Sequence, residues 1–381
     1  MTPRFDSIVI GAGGFGSAAV DHLAARGASV LGIEQHGIAH DLGSSHGHTR
    51  VIRQAYFEHP DYVPLLQAAY SLWDELALDS GQDLIDRCGL LLAGLPDGPA
   101  VSGTRIAAKQ HGLELQDLSR HDLESGFSRF QVPAHFDAVW EAEGGHLFVE
   151  QAVAAHLRRA ESRGAVLQTE ETVIDWQPSG SGFEVTTDKG RYSAGSLVIT
   201  PGSWAPQLMP GIKVAWDIVR KPLFWFPTSG RHHHREQGAG VFFLETPGGE
   251  FYGFPSLDGE TVKLAEHTGG LSIEDPVGVD RGILNIDLPP VVEFLEAHMP
   301  DLFPTPSKHT VCLYTRTPDG HFIVDRHPEH DAIALGCGFS GHGFKFTPVI
   351  GQVLAELALE GQTRFDIEFL SLLRPGLLWH D

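Results

Sequence analysis

The chain has 381 residues, 42% of them hydrophobic and 20% charged, and its 49 acidic side chains against 27 lysines and arginines leave a net charge of −22. The length allows roughly two domains, and the composition excludes a disordered, collagen-like or low-complexity chain. The acidic balance disfavours wholesale binding to nucleic acid or anionic membrane and leaves room only for a local basic pocket. Three cysteines, Cys88, Cys312 and Cys337, cannot build a disulfide framework; they point to a reducing compartment, so a cytoplasmic location is expected. No apolar run reaches the ~18–20 residues of a membrane span, and the N-terminus reads directly into a strand, so no signal peptide is expected.

In chain order, residues 5–10 read as a buried strand ending at Gly11, 15–26 as a helix stopped by Gly27, and 29–34 as a second strand. This is a βαβ unit. Over 61–79, Val63, Leu66, Tyr70, Trp73 and Ala77 recur at alternating spacings of three and four, which predicts one buried helix face. A helix is expected over 150–163, before Gly164, and strands over 172–176, 183–187 and 196–200, with Asp188-Lys189-Gly190 as a hairpin turn. From about 216 to 310 the chain becomes aromatic, β-rich and punctuated by Gly and Pro, which predicts an antiparallel sheet in an inserted second domain. A strand over 332–336, a glycine-rich turn and a helix over 344–360, with Pro348 in its first turn, close the chain.

Gly11-Ala12-Gly13-Gly14-Phe15-Gly16 falls between the first strand and helix. In such a turn Gly11 permits the tight bend, Gly13 lets backbone approach a pyrophosphate, and Gly16 allows close helix–strand packing. The helix N-terminus offers free N–H groups to phosphate. Glu34 ends the second strand, 23 residues after Gly11, where its carboxylate can accept from ribose hydroxyls. An acid there argues against NADP and leaves NAD and FAD open.

Two further segments carry chemistry. Residues 43–53 pack His46, His48, Arg50 and Arg53 among glycine and serine, suited to an anion and flavin site. Gly338 to Lys345 lies at a strand-to-helix junction, where exposed N–H groups and the helix dipole favour negative charge, with Lys345 one helical turn in and directed at the same cavity. Arg231-His232-His233-His234-Arg235 reads as a solvated loop. Adjacent histidines in an extended segment alternate in direction, and no acid or cysteine stands at zinc spacing, so no catalytic metal is expected.

Together with Phe251-Tyr252-Gly253-Phe254-Pro255 and Cys312-Leu313-Tyr314-Thr315-Arg316-Thr317-Pro318-Asp319, these blocks resemble the monomeric sarcosine oxidase and N-methyltryptophan oxidase family, flavin amine oxidases related to D-amino-acid oxidase. The resemblance implies an α/β (α+β) fold: a Rossmann-like FAD-binding domain from residues 1–85, 147–215 and 310–381, and a mixed or antiparallel-sheet substrate domain from 86–146 and 216–309. It implies FAD held covalently by Cys312, with Gly11, Gly13, Gly16, Glu34, Ser45, Thr49, Gly341 and Gly343 as further cofactor-binding positions. Lys263 corresponds to the lysine that activates dioxygen, and Arg50 and His46 to residues beside the flavin ring. Arg53 and Lys345 correspond to the pair that holds the substrate carboxylate, and Tyr252, His267 and Tyr314 to residues lining the cavity. The expected partners are a small amino acid and dioxygen, and the expected state is a monomer.

The implied reaction oxidises a secondary amino acid such as sarcosine, N-methyl or cyclic, to an imine, with release of hydrogen peroxide. Three other readings stay beside it: a dehydrogenase of the same fold with a different electron acceptor, a non-catalytic flavin-binding subunit, and a plain NAD dehydrogenase. The chain departs from the pattern at His48, often Asp in sarcosine oxidases, at Thr200 before Pro201-Gly202, and over Trp216–Phe226.

Overall fold

Ser7 to Ile10, the buried half of the strand Arg4–Ile10, lie at the centre of a largely parallel sheet in the computed structural model, which describes residues 2–378. This strand pairs in parallel with Val30–Ile33 on one side and Arg191–Ile199 on the other. Val166–Gln168 extends the first edge. Along Arg191–Ile199 the N-terminal half takes the antiparallel Gly182–Thr187 and the C-terminal half the parallel His330–Cys337. The expected βαβ unit and the strands near 172–200 and 332–336 are all present. The helix Gly14–Ala25 packs on this sheet and against the helices Val149–Ser162 and Thr347–Glu360, the last of which also lies on the sheet, against His330–Cys337. A side chain on Gly351 would collide with Ala18, so two of these helices approach where one has no Cβ.

A second, nine-stranded sheet is mixed: its strands run antiparallel except where Val241–Thr246 meets Leu90–Gly94. Alternation along each strand gives it two buried faces. Phe224, Phe226, Val262 and Leu264 pack on Val291, Phe294 and Leu295 of the helix Pro289–His298. The opposite face carries Leu223, Tyr252, Phe254, Cys312 and Tyr314. Among the described residues, no helix is long and apolar enough to cross a membrane.

Two expectations change. The segment boundary at 310 cuts through a continuous strand, Lys308–Arg316, which hydrogen-bonds along Asp217–Pro227. Cys312 and Tyr314 therefore belong to the second sheet, because unbroken antiparallel pairing outweighs their sequence proximity to the C-terminal strand and helix. The last helix starts at Thr347, after a 3-10 turn over Phe344–Phe346. Pro348 would clash with the carbonyl of residue 344 in an α-helix begun there, so it takes a first-turn position instead. Met1 and residues 379–381, which the predicted segments include, lie outside the described residues.

Candidate active site

Gly11 adopts φ +87°, and a Cβ there would stand 2.5 Å from Thr200 O. A side chain on Gly16 would be driven into Gly11 O, so Gly16 serves the packing of helix on strand. Glu34 closes the turn from below, its carboxylate accepting from Ala12 N–H at 2.9 Å and His36 N–H at 3.1 Å. A carboxylate has about four lone-pair sites, so capacity remains for hydroxyl groups. Ser45 Oγ accepts from Gly14 N–H at 3.1 Å.

From this turn a cavity of about 410 Å³ runs between the two sheets. Its wall includes Gly11, Gly13, Glu34 and Ser45 at one end, then Arg50, Cys312, Gly341 and Gly343, and finally Arg53, Tyr252, His267, Tyr314 and Lys345. Residues more than 300 positions apart in sequence thus line one channel. Gly16, His46, Thr49 and Lys263 stand behind the wall rather than on it. Trp204 lines the channel with a buried Nε1 that has no hydrogen-bond partner among the described residues, a donor left for a guest.

Midway, Arg50 donates to Ser44 O at 2.8 Å, to Thr49 O at 2.9 Å and to Cys312 Sγ at 3.2 Å. A permanent cation thus rests against the sulfur. Burial opposes the charge on Arg50, but Cys312, Tyr252 and Tyr314 hold its pKa above the usual value. His48 is exposed and turns towards Lys308, with Nε2 3.2 Å from Nζ, so its departure from the family pattern is felt at the surface. Further along, Tyr252 OH lies 3.5 Å from Tyr314 OH, and Tyr314 OH 3.5 Å from His267 Nδ1. Burial, reinforced by His342, pushes His267 down to about 3, and burial with Arg50 does the same to His46. Both imidazoles are neutral at pH 7 and too weakly basic to take a proton effectively there.

At the far end Arg53 is held on three sides. Its guanidinium lies 4.3 Å from the Tyr56 ring centroid and 4.1 Å from that of Phe57, and NH2 donates to both oxygens of Glu58 at 2.8 and 2.6 Å. Burial raises the Glu58 pKa, yet Arg53, His342 and Lys345 outweigh it and bring the group down to about 2. Lys345 donates to His342 O at 2.6 Å from its 3-10 turn; burial and Arg53 lower its pKa to about 7 against the pull of Glu58. Glu58 is the functional residue that sequence reasoning missed. It stands five residues from Arg53 in an irregular loop, and no periodic spacing points to the pair. Glu141, from the second sheet, shapes this loop by accepting from Gln54 N–H at 2.5 Å and Ala55 N–H at 3.2 Å.

Lys263 alternates with Val262 and Leu264 and so faces away from the apolar core, towards the 47–49 turn. Its Nζ donates to Gly47 O, Thr49 O and Thr49 Oγ1 at 2.7, 2.8 and 3.2 Å and lies 4.5 Å from the Phe254 ring centroid. It is fully packed rather than solvent-facing, and burial together with Arg50 pushes its pKa well below the ordinary lysine range.

Comparison with known proteins agrees with this geometry. The profile of the family described as DAO, FAD dependent oxidoreductase, matches residues 6–357. The monomeric sarcosine oxidase of Streptomyces avermitilis is 40% identical over 372 residues, covering 96% of this chain and 97% of that protein. The N-methyl-L-tryptophan oxidase of Yersinia pseudotuberculosis is 33% identical over 97% of this chain and 99% of its own length. The solved structure of NikD, an unusual amino acid oxidase essential for nikkomycin biosynthesis, superposes with a TM-score of 0.86 at 25% identity over the whole of both chains.

Proposed function

Because the chain belongs to the DAO family of FAD-dependent oxidoreductases, we propose that it oxidises a small secondary amino acid, N-methyl or cyclic, and passes the electrons to dioxygen. The observation that carries this reading is the buried pair of cations, Arg53 and Lys345, at the end of a channel that begins at the glycine turn. The C–N single bond becomes C=N, water then hydrolyses the imine, and two electrons with two protons leave on dioxygen as hydrogen peroxide. Bound FAD supplies the two-electron acceptor between amine and dioxygen.

The residues present fit that group. The Gly11–Gly14 turn, Glu34 and Ser45 would hold its dinucleotide part, Arg50, Gly341 and Gly343 its ring system, and Cys312 is the covalent anchor. Arg53 and Lys345 orient the substrate by its carboxylate, while Tyr252, Tyr314 and the neutral His267 enclose the amine and exclude water. The relatives, a monomeric sarcosine oxidase and an N-methyl-L-tryptophan oxidase, support the substrate class and, in the former, the monomeric state. All three cysteines are free, the state a cytoplasmic location maintains. Peroxide formed on N-methyl and cyclic amino acids, and not on the same amines without a carboxylate, is the expected result. Substrate-driven bleaching of the flavin without peroxide would instead favour a dehydrogenase.

Removing either cation leaves the other facing an incompletely paired anion. Arg53→Ala and Lys345→Ala are each expected to weaken apparent substrate affinity by ~2–5 kcal/mol. For the wild type, affinity should fall as pH rises through about 7, where Lys345 loses its charge. Steady-state kinetics from pH 6 to 9 check both; unchanged KM in both variants removes the clamp.

Glu58 already occupies the fork of Arg53, so an incoming carboxylate competes with it. Glu58→Gln removes the charged competitor, and acetate, as a competitive inhibitor, is expected to bind roughly 10–100-fold more tightly, the equivalent of the ~1.5–3 kcal/mol of a charge-assisted bond. Weaker or equal inhibition would exclude the competition. The depressed pKa has a sign for stability: the pair contributes fully above the unfolded value of 4.5, and that contribution is lost as pH falls towards about 2.

A further inference from the structure

The histidine-rich segment lacks an acidic partner in sequence and acquires one on folding. Gly230 leads into a 3-10 turn over Arg231–His233. The strand ending at Pro227 runs on beside residues 302–303: Phe303 N–H donates to Pro227 O at 3.0 Å, and Thr228 bridges Leu302. This pairing carries Asp301, just beyond the helix Pro289–His298, to the turn, where its Oδ2 lies 2.8 Å from His232 Nε2. The His232 and His233 rings are 4.5 Å apart between centroids. One ligating atom from each of His232, His233 and Asp301 lies within 4.8 Å of the other two.

A second observation concerns His233. It is only 2% exposed, and its buried Nε2 has no hydrogen-bond partner among the described residues. Its backbone is pinned, with His233 O accepting from Ser256 N–H at 2.8 Å and Ser256 O from Arg235 N–H at 2.9 Å. An ordered imidazole with an unused ring nitrogen is a costly arrangement unless something uses it. Arg235 is bidentate to Asp86 at 2.6 and 2.8 Å, and the guanidinium of Arg129, which acts on His233 as a positive charge, lies 4.9 Å from the Phe130 ring centroid.

We propose that His232, His233 and Asp301 form a binding site for a divalent transition ion of zinc type, with water in the fourth position. Two imidazoles and one carboxylate are a donor set zinc accepts. Bonds of about 2.0–2.1 Å place tetrahedral ligand atoms roughly 3.3 Å apart, so the His232–Asp301 separation opens by about half an ångström and the distances to His233, within 4.8 Å, close by up to about 1.5 Å, shifts that fall on the exposed side chains of His232 and Asp301. None of the three residues lines the channel. The ion is a staple, joining the turn at 232 to the segment at 301 and so closing the stretch of chain that includes the strands 241–273 and the helix Pro289–His298.

Zinc uptake by the flavin-loaded protein is the test, read by equilibrium dialysis, metal analysis after desalting and the midpoint of thermal unfolding. One equivalent is expected in the wild type, with a rise in the midpoint. His232→Ala and Asp301→Asn, at half-exposed positions that tolerate substitution, should each lose affinity by no less than the ~10–100-fold that follows removal of a supporting partner, together with the midpoint rise. Asp86, Cys88 and His146 are another grouping of potential ligands, so Cys88→Ser serves as control and should bind as the wild type does. No zinc retained after desalting, equal uptake by His232→Ala and Asp301→Asn, or loss of uptake in Cys88→Ser would each overturn the assignment.

Discussion

Cys312→Ala is expected to release every molecule of flavin on acid precipitation, whereas the wild type keeps it on the polypeptide. Of the three cysteines, Cys312 alone lies on the channel wall, and it alone has a guanidinium N–H directed at its sulfur, at 3.2 Å from Arg50. Attachment through sulfur requires the sulfur to stand where the ring system would lie, and the Arg50 contact fixes it on the channel wall. The other two are unsuited to it: burial pushes Cys88 up to about 11 and Cys337 higher still, and neither faces the channel. Cys88→Ala and Cys337→Ala should therefore retain the flavin. Yellow fluorescence after denaturing electrophoresis reads the outcome directly. Complete release of flavin from the acid-treated wild type would end the proposal of covalent attachment. In Cys312→Ala, non-covalent binding through the Gly11–Gly14 turn and Glu34 should persist, because those contacts do not involve the second sheet.

Lys263→Met is expected to slow reoxidation of the reduced enzyme by dioxygen about 10²–10³-fold, the usual cost of deleting one preorganised electrostatic contact, while leaving anaerobic reduction by substrate nearly unchanged. Dioxygen gains negative charge with its first electron, so a fixed cation near the reacting centre lowers that barrier. Three oxygen acceptors take all three N–H groups of the Lys263 ammonium, so the side chain is positioned before dioxygen arrives. Burial and Arg50 oppose its charge. Reoxidation in the wild type should consequently fall as pH rises, and at a lower pH than an ordinary lysine would allow. Methionine also removes one of the two donors to each of Gly47 O and Thr49 O, which keep Thr49 N–H and Arg50 respectively, so the variant should unfold at a somewhat lower temperature. Stopped-flow measurement of the two half-reactions separates this structural cost from the electrostatic one. A structural effect slows both; equal reoxidation rates would remove Lys263 from the oxidative step.

Local patterns in this sequence determined whatever depends on near neighbours. Apolar runs and helical spacings placed the βαβ unit, the helix after Pro60 and the closing strand and helix. The glycine turn followed by Glu34 marked one end of the channel, since close approach of backbone demands residues without side chains. The quoted blocks, through their resemblance to a flavin oxidase family, pointed to Arg50, Arg53, Cys312 and Lys345, and these do meet along one wall. Only the tertiary structure decided which charge each of them faces. Glu58 occupies the fork of Arg53, Lys263 binds the carbonyls of a turn more than two hundred residues away in the chain, and Asp301 reaches His232 across a bridge between distant segments. It also moved Cys312 and Tyr314 into the second sheet and Lys345 out of the α-helix. Periodicity and spacing report on residues within a few positions of one another, whereas desolvation and Coulomb interaction depend on distance in space, which long-range strand pairing sets.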